Sequence, residues 1–126
     1  MVTYIMTEAE SLLAELIWER EPIRSGELVK LAAQQFGWKK STTYTVLRKI
    51  CENDIFQNQA AVVTAKISRE EYTGRKGEQY LQENHNGSLP NFVAAFLKRK
   101  KLNKNDIEEL AVLIEEYQPE FSTPQH

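Results

Sequence analysis

Between residues 39 and 49 the chain sets Lys39, Lys40, Ser41, Thr42, Thr45, Arg48 and Lys49, each able to donate a hydrogen bond to an anion. They lie in the stretch GWKKSTTYTVLRKICENDIF, Gly37 to Phe56, which has the apolar spacing of an amphipathic helix beginning near Ser41. Two lysines and three short hydroxyls around a helix start suit phosphate oxygens or base edges, and the helix start adds free N–H groups and the positive end of its dipole. Arg48, one to two turns further on, has the planar fork that reads a guanine bidentately. Tyr44 either packs under the helix or lays its hydroxyl on a nucleic-acid backbone. Taken singly, each of these is an ordinary solvated side chain. What sets them apart is that Ser41, Thr42, Thr45, Arg48 and Lys49 share the face opposite the inner stripe of Thr43, Val46, Leu47 and Ile50.

That helix needs a scaffold, and the segments before it supply one. In MTEAESLLAELIWERE, Thr7 and Glu10 have the spacing of a capping box, with Leu12, Leu13, Leu16 and Ile17 at helical spacing as far as Arg20. Pro22 ends this helix. Ser25 then reads as the cap of a short second helix bearing Leu28, Leu31, Ala32 and Phe36, with Gly37 as its stop. After the third helix, IFQNQAAVVTAKI is rich in β-branched residues and reads as a small hairpin. Helical patterns return at SREEYTGRKGEQYLQEN, at LPNFVAAFLKRKK beyond an HNGS turn, and at NKNDIEELAVLIEEY, capped by Asn103 or Asn105 and stopped by Pro119.

The expected fold is therefore mainly α with a small β-hairpin. A winged helix-turn-helix over residues 1–67 is followed by a helical dimerisation extension over 68–118 and a loose tail over 119–126. Three helices followed by a hairpin are the order in which such a domain sends its third helix into a major groove.

Composition bounds the function. A chain of 126 residues with 41% hydrophobic and 27% charged residues can bury a core while staying well solvated. Its net charge is −2, yet between Glu27 and Glu52 it carries Lys30, Lys39, Lys40, Arg48 and Lys49 and no acid, and local charge is what a phosphate backbone feels. Cys51 is the single cysteine and His85 and His126 are the only histidines, so no disulfide and no zinc cluster is expected. No catalytic motif and no cofactor-binding motif is present, so a non-enzyme without metal or cofactor is expected. Lacking an apolar span or a signal peptide, the chain reads as cytoplasmic, with no membrane insertion.

The residues MTEAESLLAELIWE, STTYTVLRKICENDI, ISREEY, the NGS turn and FLKRKKLNKNDIEELAVLIEE together resemble the penicillinase repressor family, from about Met6 to Tyr117. The resemblance implies a homodimeric bacterial transcriptional repressor bound to double-stranded operator DNA. It places Ser41, Thr42, Tyr44, Thr45 and Arg48 on the operator-contacting helix and Gln57, Asn58 and Gln59 in the wing. Dimerisation also has a reading of its own: Phe92, Phe96 and Leu97, then Ile107, Leu110, Leu113, Ile114 and Tyr117, are a large apolar supply for helices this short.

Penicillin-responsive members are inactivated by cleavage of an Asn-Phe bond in the helical domain, which implies a membrane sensor-protease as a further partner. Alignment on LNKNDIEEL puts that bond at Ala95-Phe96, where the asparagine is missing, whereas an Asn91-Phe92 pair lies four residues earlier. The copper-responsive branch uses paired Cys-x-Cys motifs, for which Cys51 alone supplies no ligand set. The rival reading from another class is a winged-helix protein-interaction adaptor without specific DNA binding.

Overall fold

Thr7 opens the first helix as its spacing predicts. Its hydroxyl accepts from the Glu10 N–H at 3.2 Å while the Glu10 carboxylate accepts from the Thr7 N–H at 2.9 Å, a reciprocal pair that starts α1 (Glu8–Arg20). The computed structural model describes residues 3–117. After α1 come β1 (Ile23–Arg24), α2 (Ser25–Phe36), α3 (Lys40–Glu52), β2 (Phe56–Gln59), β3 (Val62–Ala65), α4 (Arg69–Asn84), α5 (Leu89–Arg99) and α6 (Lys104–Glu116). The loose tail expected over 119–126 lies outside the described residues.

The hairpin is present, and it is joined by a strand with no sequence signal. β1 pairs antiparallel with β3 (Ile23 with Val63, Arg24 with Val62), so the sheet order is β1-β3-β2. Two residues of β1 suffice because Ile23 is buried against Val63 in the core. The helical α1–α3 layer packs on this sheet around Leu13, Ile17, Leu28, Ile50, Phe56 and Val63, all fully buried. Trp18 joins that core, its ring 5.2 Å from Phe56 and its indole N–H donating to the Ile67 carbonyl at 3.0 Å. Gly37 ends α2 in the left-handed region at φ 71°, with its N–H on the Ala33 carbonyl, as expected of a glycine stop.

Two compact units emerge, Met1–Gly87 and Ser88–His126. The division falls after α4, not at residue 67, for a physical reason: Tyr72 of α4 is buried, and its hydroxyl accepts from the Met6 N–H at 2.8 Å. Gln79, two turns on, accepts from the Thr3 N–H at 2.6 Å, so α4 is stitched to the chain's beginning. The HNGS turn follows, with Asn86 and Gly87 both at positive φ and the Gly87 N–H on the Leu81 carbonyl.

The second unit contains α5 and α6, opened by hydroxyl and carboxamide caps from Ser88 and Asn103; of the two asparagines offered for α6, Asn103 is the cap. No described residue of either helix is buried. Phe92 and Phe96 stack at 6.1 Å, but Leu97, Ile107, Leu110, Leu113, Ile114 and Tyr117 are all exposed.

Candidate nucleic-acid interface

Helix starts in this protein fall into two groups. α1, α4, α5 and α6 each begin with a side-chain oxygen on a backbone N–H, from Thr7, Ser68, Ser88 and Asn103. α2 and α3, the two helices of the helix-turn-helix, begin at Arg24 and Lys39 with no side-chain cap. The sequence reading of Ser25 as a cap is corrected here. Ser25 is the first helical residue; its N–H donates to the Ala61 carbonyl at 2.9 Å, so its side chain is left to face α3.

At α3 the uncapped end is cationic. Its first turn holds no acid, and Lys39, Lys40, Ser41 and Thr42 are exposed around it. Its first N–H groups therefore have neither an intrahelical acceptor nor a capping side chain. Thr43 turns inward instead, fully buried, its hydroxyl donating back to the Lys39 carbonyl at 3.4 Å. Thr45, Arg48 and Lys49 continue the exposed face. Among the described residues, none of Lys39, Lys40, Arg48 and Lys49 is in an ion pair. Arg48 and Lys49 also border a groove of about 410 Å³ shared with Thr7, Glu10 and Glu52. Glu52 thus marks where the acid-free face stops.

Tyr44 resolves in favour of packing. It is half-buried, and its hydroxyl donates to Ser25 Oγ at 3.4 Å, the long end of the hydrogen-bond range. Ser25 consequently touches both α3 and the hairpin, since its N–H holds the Ala61 carbonyl while its hydroxyl accepts from Tyr44.

The wing is a tight hairpin closed by the Gln59–Val62 pair. Its two loop residues, Ala60 and Ala61, have φ of 55° and 65°, the left-handed pair of a type I′ turn that is ordinarily filled by Asn-Gly. Gln57 is half-buried and donates to Thr64 Oγ1 at 3.2 Å, so its amide is spent across the strands, while Asn58 and Gln59 are exposed. From Ile55 to Ala65 there is no charged residue, so any wing contact is made by carboxamides and backbone.

Arg24 is the residue that sequence reasoning missed. Exposed, paired with Val62 next to the hairpin turn, and standing at the uncapped start of α2, it adds a cation beside the hairpin. Nothing in EPIRS signals a strand, so only the pairing reveals it.

Cys51, at the far end of α3, is half-buried, and burial pushes its thiol above the ordinary value against a smaller opposing pull from Lys66. A thiol held protonated is a poor nucleophile, which suits a packing residue. Among the described residues, no cluster of His, Cys, Asp or Glu could hold a metal ion, and no helix is long and apolar enough to cross a membrane. A larger open cavity of about 610 Å³ lies elsewhere in the first unit, bordered by Tyr4, Asp54, Tyr72 and Arg75, where Arg75 is already paired with Glu71 at 2.7 Å. None of the anticipated site residues lines it.

The candidate cleavage bonds both lie in α5. Asn91-Phe92 is in its first turn, where the Asn91 N–H is held by Ser88, and Ala95-Phe96 is in its middle.

No curated protein matches the chain. The family model described as penicillinase repressor matches residues 6–116, spanning both units and every element from α1 to α6. The match covers most of the chain, and this chain belongs to the penicillinase repressor family.

Proposed function

We propose that the protein is a cytoplasmic, homodimeric transcriptional repressor that reads a palindromic operator with α3. The observation that carries this is the start of α3: an uncapped, acid-free helix end ringed by Lys39, Lys40, Ser41 and Thr42, all exposed. An anion is the missing partner of such an end, and a duplex offers one every few ångströms. Thr45 and Arg48 then extend toward base edges, and Asn58, Gln59 and Arg24 contact the flanking groove or backbone. Dimerisation is supported by the second unit, whose helices of 11 and 13 residues carry broad apolar faces without burying any residue. Helices this short are marginal in water by themselves, and a twofold pair of chains would space two copies of α3 along a palindrome.

Release by a membrane sensor-protease is part of the proposal. Asn91-Phe92 is the favoured bond, because a helix frays from its first turn and a protease needs the chain extended.

Fluorescence anisotropy on the protein's own upstream promoter fragment, against a shuffled fragment at two salt concentrations, tests the reading. Tighter binding to the promoter, weakening steeply with salt, is expected. Equal weak binding to both fragments would replace the repressor by the protein-interaction adaptor.

A further inference from the structure

The hairpin that the proposed function lays on DNA carries no charge from Ile55 to Ala65, and the charges at its two ends, Asp54 and Lys66, pair with each other at 3.0 Å. Among the described residues, Arg24 is the one charged side chain on the three strands. Its place is set by register. Arg24 lies opposite Val62, and Val62 opposite Gln59, so the three form one row across the order β1-β3-β2, beside the Ala60–Ala61 turn. The adjacent residues Ile23 and Val63 are buried, and side chains alternate faces along a strand. Arg24 and Gln59 therefore share the outer face of the sheet, and both are exposed.

Helix chemistry disfavours an arginine at this position. Arg24 is the N-cap of α2, where the dipole opposes a cation and a guanidinium has no atom to accept from the orphan N–H groups. The nearest acids in the sequence, Glu21 and Glu27, do not hold it. The Glu21 carboxylate accepts from the Ala65 N–H at 2.8 Å, and among the described residues Arg24 is in no ion pair. Its neighbour fixes where it stands: Ser25 holds the Ala61 carbonyl through its N–H and accepts from Tyr44, one turn before Arg48, through its hydroxyl. Arg24 is thus an unpaired cation at the junction of α3 and the hairpin turn.

We infer that Arg24 enters the minor groove flanking the α3 site and makes the protein select operators whose flanks are narrow and A·T-rich. This rests on the repressor reading above and supplies a source of specificity outside the α3 contacts. With a helix in the major groove, a segment at its flank reaches the adjacent minor groove. There A·T pairs present only acceptors, whereas a G·C pair adds the guanine N2 amino donor. Arg24 and Gln59 offer donors from one row, and Ala60 and Ala61 keep the turn slim for a groove about 6 Å wide. A narrow A·T-rich groove also concentrates negative potential, so one guanidinium gains more there than on an isolated phosphate.

The test uses the full-length protein. Hydroxyl-radical footprinting on its own promoter fragment locates the base pairs just outside the α3 contacts, and three duplexes then differ there alone. Their flanks are A·T, G·C, or inosine·cytosine, which keeps the major-groove edge of G·C but lacks the N2 amino group. Fluorescence anisotropy of the native chain is expected to show at least about fivefold weaker binding with G·C flanks and recovery with inosine·cytosine flanks. Arg24→Ala should bind all three duplexes alike. Arg24→Ser should lose the same preference while raising the urea midpoint of the first unit, because it supplies the missing cap. A native chain indifferent to the flanks, or a preference that survives in both variants, overturns the inference. Failure of inosine·cytosine flanks to restore binding moves the readout to the major groove and overturns it too. Equal binding of the native chain to promoter and shuffled DNA would overturn the repressor reading itself, an outcome separate from these.

Discussion

Phe56 in the first unit and Ile114 in the second are both large apolar residues on amphipathic elements, yet one is fully buried and the other is 74% exposed. The contrast extends to their neighbourhoods. Around Phe56 the chain supplies its own cover, from Trp18 of α1 to Val63 of β3, whereas α6 has no buried residue along its length. Apolar periodicity thus has two outcomes in one molecule: a contact made within the chain, or a surface left exposed. The difference lies in topology. α1, α2, α3 and the sheet surround a common centre, while two successive helices joined by a corner at Lys100–Asn103 have no third layer to close over them.

The largest expected effect breaks the covered side of this comparison. Phe56→Ala should destabilise the first unit by about 3–5 kcal/mol, read as a lowered urea midpoint of Trp18 fluorescence, because it removes a fully buried ring from a close-packed core. A loss below about 1 kcal/mol would mean that the core is not built around it. On the open side, Leu110→Asp should leave that urea midpoint in place and abolish self-association in sedimentation. Parallel loss of both would show that the two units do not behave separately.

On the exposed face of α3, proposed above to meet DNA, the effects are smaller and sort by chemistry. Arg48→Ala should weaken operator binding by about 1–3 kcal/mol and leave shuffled DNA almost untouched, while Lys39→Ala should weaken both and flatten the salt dependence. A sequence preference altered by the Lys39 change would reassign that side chain from phosphate to base. The smallest effect concerns the wing. Ala60→Asn with Ala61→Gly, which suits the left-handed turn, should stabilise the first unit by about 1 kcal/mol in the same urea titration. Destabilisation would show that the turn is not of that type.

Helix boundaries were legible because their chemistry is local. Thr7 with Glu10, Gly37 and Asn103 announce a start or a stop within four residues of themselves. The inner stripe of α3 was legible for the same reason, and with it the exposed set from Lys39 to Lys49. What could not be read depends on partners far along the chain. β1 is a strand only because Val62 and Val63 lie opposite it, and α4 joins the first unit through one buried ring, Tyr72, on an otherwise polar helix. Ser25 looked like a cap because its type suits one. Its hydroxyl is claimed instead by Tyr44 and its N–H by Ala61. The turn at Ala60–Ala61 carries none of the glycine or asparagine that would have marked it.

The bare start of α3 has a consequence for how the free protein differs from the bound one. Four helices here are capped by their own side chains, whereas α3 begins without one, and a phosphate is the cap that the proposed function would supply. Off DNA its opening amides should exchange with solvent quickly, and on the operator they should slow as the duplex becomes the cap. The operator would then complete the fold that recognises it, so part of the binding free energy goes into ordering the helix that does the reading.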